Sequence, residues 1–283
     1  MNRKATLDIS DMHFGDSAQL YGTLQECMER AIVMVRDFAP LETEVVLNGD
    51  AVAGRGIFRG QAMQNALQLG SEQAWWAAHE IQQWQHGLRA SRWIIILGNH
   101  DNSERENLAA QLAMCLQMLG VNAYYAGRSY TGNFSADERD DSWYEAEHGF
   151  GGSDYYANSY TEIRAMWRKY VERACIDDIH LSRVLLGHTH WLNIGQAAGI
   201  KYAIDTTGGW HRQERLKLAG DTRDTGMILY LHDGQNLRVQ DVRSDAKLLI
   251  EETRDPALHY KTMRAASDAL LAVTKWGHER GLC

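Results

Sequence analysis

The sequence predicts an α/β fold built on two packed sheets. Strand-like and helix-like runs alternate over most of the chain, and a group of short strands follows them. No Gly/Ser/Pro-rich linker divides the 283 residues, in which Pro40 and Pro256 are the only prolines.

Residues 5–9 read as a short strand. Leu20, Leu24, Met28, Ala31, Val35 and Phe38 form a helical stripe, which ends before Pro40 because the residue preceding a proline is pushed out of the helical region. Residues 44–47 are a short buried strand. Ser71 is placed to cap a helix carrying Ala74, Ala78, Ile81 and Leu88. Residues 93–97 have the apolar, β-branched density of a covered parallel strand. Ser103 and Glu106 have capping-box spacing ahead of Leu108, Leu112, Leu116 and Leu119, and Gly120 supplies the stop. Residues 121–125 read as a strand. Ser159 and Glu162 repeat the capping spacing before Ile163, Met166, Tyr170 and Val171. Residues 183–186, 200–204, 227–231 and 237–242 read as later strands, the last two joined near Asp233 and Gly234. Asp255 and Pro256 open a terminal helix over 256–283, packed on a main domain of residues 1–255.

Composition is that of a globular chain, with 45% hydrophobic and 23% charged residues. The net charge of -8 excludes a broadly basic nucleic-acid coat. The N-terminal residues show basic groups without an apolar core or cleavage site, and no run approaches the 18 or so apolar residues of a membrane span. Cys27, Cys115, Cys175 and Cys283 are far apart and form no C-x-x-C pair. A reduced, cytoplasmic setting without a membrane is the expectation.

Four polar clusters follow predicted strands: Asp11-Met12-His13, Asn48-Gly49-Asp50, Gly98-Asn99-His100-Asp101 and Gly187-His188-Thr189-His190. In open α/β sheets ligands bind beyond the carboxyl ends of the strands. Alternating Asp and His suit borderline divalent cations such as Zn²⁺, Mn²⁺ or Fe. The donors are too many for one tetrahedral ion, and two ions sharing a carboxylate use them better.

In this ordered set the chain resembles the calcineurin-like metallophosphoesterase superfamily, over positions 11 to 190. The resemblance implies a four-layer α-β-β-α sandwich of two packed mixed sheets, with a dinuclear metal site at the strand C-terminal edge. It implies that Asp11, His13 and His190 hold the first metal, that Asp50 bridges, and that Asn99 and His188 hold the second. His100 is then not a ligand but the catalytic group facing the scissile phosphate. The family needs one more histidine between the last two motifs, for which His148 and His180 compete. His148 is preferred. It follows a possible strand at 143–147 and opens a His-Gly-Phe-Gly-Gly run, whereas His180 precedes the 183–186 strand and should fall at the opposite edge. Many members carry a second aspartate after the bridging one, as G-D-x-x-D. Here that position is Ala53, which leaves Asp101 or another acid to orient His100.

The expected reaction is hydrolysis of a phosphodiester, in nucleic acid or a nucleotide, by a metal-bridging hydroxide, with two divalent ions as cofactors: Mn²⁺ foremost, then Zn²⁺, Fe or Ni²⁺. The H-G-x-G-G run from His148 and the G-D-x-V-x-G run from Gly49 look like phage-encoded members, which brings a replication or repair nuclease into view. The alternatives are a phosphomonoesterase acting on proteins or nucleotides, and a non-catalytic scaffold on the same fold.

Other residues invite a role more weakly. Arg55, Arg59 and Arg105 follow the second and third clusters but read as solvated. Trp75, Trp76 and Trp84 have the spacing of helix packing. Trp210 and His211, after a Thr-Gly-Gly turn, read equally as cleft wall or plain loop. His79, His86, His232, His259 and His278 read as surface or capping groups. Segment 127–159 lacks periodicity and is read as an insertion or lid around the site. Its stretch 137–147 holds six acids against Arg139, a net of -5, so most of the excess charge is local.

Overall fold

In the computed structural model the described residues are 3–17, 19–57, 61–103, 106–137, 139–140, 142–149, 181–188, 190, 192–196, 203–210 and 225–243. They form two mixed sheets. The first runs β11-β10-β1-β2-β3-β4, from β1 (Lys4–Ile9), β2 (Glu42–Asn48), β3 (Arg92–Ile96), β4 (Ala123–Gly127), β10 (Gly226–His232) and β11 (Leu237–Arg243). β1 to β4 are mutually parallel, and β10 and β11 close one side antiparallel. The second sheet runs β5-β6-β7-β9-β8, from β5 (Ser129–Asn133), β6 (Trp143–Glu147), β7 (Leu181–Leu186), β8 (Asn193–Gln196) and β9 (Ala203–Thr206). Its inner strands β6, β7 and β9 are parallel, and each edge strand is antiparallel to its neighbour.

Side-chain alternation divides the core. Leu7, Val45, Leu47, Trp93, Ile95, Met227 and Leu229 face the helices α1 (Tyr21–Phe38), α2 (Gly70–Leu88) and α3 (Leu108–Met118). Their neighbours Val46, Ile94, Ile96, Ile228 and Tyr230 face the second sheet, where they meet Phe134, Tyr144, Ala146 and Leu185. Phe134 stacks between Tyr144 and Tyr230 with ring centroids 4.5 Å from each. The layer between the sheets also buries acids. Glu44 accepts from Tyr144 and Arg92, and Asp205 accepts from Arg183 (2.6 Å) and Tyr230 (2.8 Å).

Among the described residues three layers, helix–sheet–sheet, are seen. The helices expected around 163–171 and over 256–283, and with them the 255/256 boundary, lie outside the described residues. Among the described residues no helix is long and apolar enough to cross a membrane.

Several expectations change. Ser71 does not cap α2, whose N-cap is Leu69; the Glu72 carboxylate accepts from the Leu69 N–H at 3.4 Å. Ser103 and Glu106 do not form the capping box of α3. Asn107 caps it, its Oδ1 accepting from Ala110 N–H at 2.9 Å, while Ser103 Oγ accepts from Arg55 N–H. Segment 127–159 is not a loop throughout, because β5 and β6 build one edge of the second sheet from it; residues 150–159 lie outside the described set. His232 is buried rather than on the surface, with Nε2 3.3 Å from Asp140.

Candidate metal centre

Six parallel strands, β1, β2, β3, β6, β7 and β9, end at one edge. The residues that follow them are Asp11 and His13, Asp50, Asn99 and His100, His148, His188 and His190, and Thr207 to Trp210. Hydrogen bonds join the two sheets there. His188 N–H donates to Asp11 Oδ2 at 2.9 Å, His148 Nδ1 lies 2.7 Å from Asn48 O, and Trp210 N–H donates to Asp11 O at 3.0 Å.

Donor atoms gather in three overlapping groups: Asp11, His13 and His190; His13, Asp50 and His100; and Asp50, His148 and His188. His13 and Asp50 each belong to two of them and so link the three groups. Each carboxylate has one oxygen committed and one turned inward. Asp11 Oδ2 accepts from Ser10 Oγ and His188 N–H, which leaves Oδ1 facing His190 Nε2 at 3.1 Å. Asp50 Oδ1 accepts from His100 N–H at 2.8 Å, which leaves Oδ2 facing His148 Nε2 at 3.1 Å. Asn99 Oδ1 is buried with no hydrogen-bond partner.

This donor set fits divalent cations. A neutral His148 that donates its Nδ1–H to Asn48 O presents a lone pair on Nε2, 3.1 Å from a carboxylate oxygen. Two acceptors tolerate that contact only with a positive charge between them, a proton or a metal ion. In the protein alone the proton takes that place. Burial pulls the His148 imidazole down, but the Asp50 and Asp11 carboxylates outweigh it and push it up to about 10. Burial likewise opposes ionisation of Asp11 and Asp50, yet His190 and His148 hold Asp11, and His148 and His100 hold Asp50, well below the usual carboxylate range.

The backbone is unusual at the same residues. Asp11, His13, Asp50, His188 and His190 all have left-handed φ, between 50° and 73°. Ala39 and Arg89, the other non-glycine cases among the described residues, are helix C-caps. Such conformations cost about 1–3 kcal/mol each and cluster where function over-determines them. The motif glycines serve contact. A Cβ on Gly49 would lie 2.3 Å from the His148 ring, one on Gly98 2.1 Å from Asp50, and one on Gly209 2.3 Å from His190.

Six of the seven residues expected as ligands, Asp11, His13, Asp50, His148, His188 and His190, are brought to one place, with His100 beside them, its Nε2 4.0 Å from Asp50 Oδ2. Asp101 does not orient His100. Its carboxylate accepts from Val52 N–H and Gly98 N–H, and burial and then Asp50 raise it to about 7. His100 Nδ1 instead lies 2.6 Å from Ala53 O, at the position where the expected aspartate is missing. Trp210 is fully buried under Asp11 and does not line a cleft. Ser10, Thr207 and Gly209 escaped the sequence reading, although all three flank recognised motifs. His180, His211, Arg59 and Arg105 lie outside the described residues. Trp76 and Trp84 are core, and Trp75 packs edge-on against His79.

No family model matches the chain, and no curated protein matches it. Solved structures do. A predicted phosphoesterase from Streptococcus pneumoniae TIGR4 is 14% identical, covering 85% of this chain and 90% of its own, with a TM-score of 0.38. Wild-type Vps29 from Entamoeba histolytica, complexed with zinc, is 12% identical, covering 84% and 98%, with a TM-score of 0.41. A putative 5'-nucleotidase from Staphylococcus aureus is 11% identical, covering 93% of this chain and 58% of its own, with a TM-score of 0.46. Within this chain, residues from all four ordered motifs are brought together at the strand ends of the two packed mixed sheets.

Proposed function

We propose that the protein is a metal-dependent phosphoesterase that hydrolyses a phosphodiester of a nucleic acid or nucleotide. One observation carries the reading: donors from five strand ends converge in three overlapping groups, two of which contain Asp50. Asp11, His13 and His190 would hold one divalent ion, and Asn99, His148 and His188 the other, with Asp50 common to both. Mn²⁺ is the first candidate; Zn²⁺, Fe and Ni²⁺ also suit these donors. Bound there, the ions would supply Lewis acidity toward a phosphoryl oxygen and an acidified water.

The protein's own residues do the rest. Ser10 and His188 N–H fix one oxygen of Asp11, and His100 N–H fixes one oxygen of Asp50, so each carboxylate offers its other oxygen in a set direction. His100 keeps Nδ1–H on Ala53 O and turns Nε2 to the site. In its protonated form Nε2–H donates to the leaving oxygen. The net charge of -8 disfavours gripping a long duplex without a basic partner, so short or single-stranded substrates suit the chain best. The four cysteines, far apart in sequence and without a C-x-x-C pair, suit a reducing cytoplasmic setting.

The test is a substrate panel with Mn²⁺: bis-p-nitrophenyl phosphate, p-nitrophenyl phosphate, single-stranded and linear duplex DNA, and cyclic nucleotides. Turnover of diesters, lost in Asp50→Asn, is expected. Turnover of the monoester alone would move the assignment to a phosphomonoesterase, and turnover of nothing would return it to a scaffold.

A further inference from the structure

We propose that Gln61 is a positioning residue that holds His100 through the Ala53 carbonyl, taking over the work of the acid missing at position 53. The proposal rests on the reading of His100 as the group that faces substrate.

Gln61 is 1% exposed, in a short 3₁₀ turn (Gln61–Met63). Its Nε2 donates to Ala53 O at 2.7 Å, and its Oε1 accepts from Ile57 N–H at 2.9 Å. These partners settle the amide's orientation. Flipped, it would set oxygen against oxygen at Ala53 and donor against donor at Ile57.

Ala53 O therefore has two donors. Gln61 Nε2–H occupies one lone pair, and His100 Nδ1, at 2.6 Å, is left facing the other. A bare Nδ1 would put two acceptors in contact, so Nδ1 carries the hydrogen. Gln61 Nε2 itself lies 3.4 Å from Nδ1, in contact with the ring it helps to position. One nitrogen is thereby assigned to the protein and the other, Nε2, to the site. Gln61 also ties three segments together: the loop after β2, the turn itself, and the loop after β3 that bears His100. A neutral amide on a carbonyl does this without a second negative charge beside Asp50 and Asp101, both fully buried.

The experiment uses the full chain, as purified and after loading with diamagnetic Zn²⁺. Long-range ¹H–¹⁵N spectra of the imidazoles, with His100 assigned through His100→Ala, should show a single Nδ1–H tautomer in the wild type. Gln61→Leu should mix the two tautomers and lower kcat about 10–100-fold, with KM and metal content held. An unchanged tautomer in Gln61→Leu overturns the proposal, whether or not kcat falls. Should Gln61→Leu not fold, Gln61→Met, of similar length, supplies the apolar arm. If no phosphate ester is turned over, the spectra still decide the tautomer, so failure of the functional reading is separate from failure of this one.

Discussion

In the proposed metal centre His148 would exchange a proton for a cation, and that exchange can be measured. Its imidazole is pushed up to about 10 by Asp50 and Asp11 against the pull of burial, while an unfolded histidine titrates near 6.5. Its stabilising contribution to the metal-free protein is therefore complete below about pH 6.5 and lost as pH rises through about 10. Asp11 and Asp50 are depressed, so theirs is present above about pH 4 and lost in stronger acid. The thermal midpoint of chelator-treated protein should accordingly fall at both extremes, and a flat profile up to pH 11 would refute the pairing. Metal binding at pH 8 should release the His148 proton, read as a buffer-dependent enthalpy by calorimetry. For His100, replacement by alanine should lower turnover by about 10²–10⁴-fold while metal content stays the same. At this scale the gathering of the candidate residues was legible, because most of them sit in short polar motifs that follow strands. The orienting partner of His100 was not, since a backbone carbonyl leaves no letter in a sequence and Gln61 belongs to no motif.

Elements matter to the site through their ends. β1, β2 and β3 were readable because strands buried on both faces form near-continuous apolar runs, as in Arg92–Ile96. β5 (Ser-Tyr-Thr-Gly-Asn) and β8 (Asn-Ile-Gly-Gln) were not. They are the two edges of the second sheet, half-exposed, polar and carrying a glycine. Capping was misread for a related reason. Ser71 and Ser103 have the right chemistry, but neighbouring side chains placed the helix starts elsewhere. Gly49, the glycine that precedes Asp50, is an element-end feature with a sharp consequence. Gly49→Ala would drive a methyl into His148 and impose a side chain at φ 79°. It should abolish high-affinity metal binding, by calorimetry, while Gly120→Ala, with nothing within 4 Å of its Cβ, should leave metal affinity untouched.

On the scale of the whole molecule, the layer between the sheets mixes aromatic packing with buried acids. Phe134→Ala should cost about 3–5 kcal/mol in denaturant unfolding, because the ring fills the space between Tyr144 and Tyr230. Asp8, fully buried in β1, is held well above the usual carboxylate range by burial and then by Asp205. An acid raised in this way costs stability as pH climbs from about 4 toward its folded value, since only the unfolded form ionises there. Asp8→Asn should thus raise the thermal midpoint at pH 8 and do little at pH 4. The two-sheet plan was legible from the order of strands and helices. The buried ionic layer was not, because a strand facing two environments hides its polar positions among apolar neighbours.

The distribution of the inward donors has a mechanical side. Asp11, His13, Asp50 and Asn99 come from the first sheet, and His148, His188 and His190 from the second. Bound ions would act as a clasp across the sandwich, fastening two slabs at one rim while Phe134 and the buried acids fasten them further in. Loading the clasp should slow amide exchange in β6, β7 and β9 together, as one cooperative unit, and chelation should free that unit before β1 to β3 respond. The ions would then set how firmly the two halves of the molecule are held together, as well as what they hydrolyse.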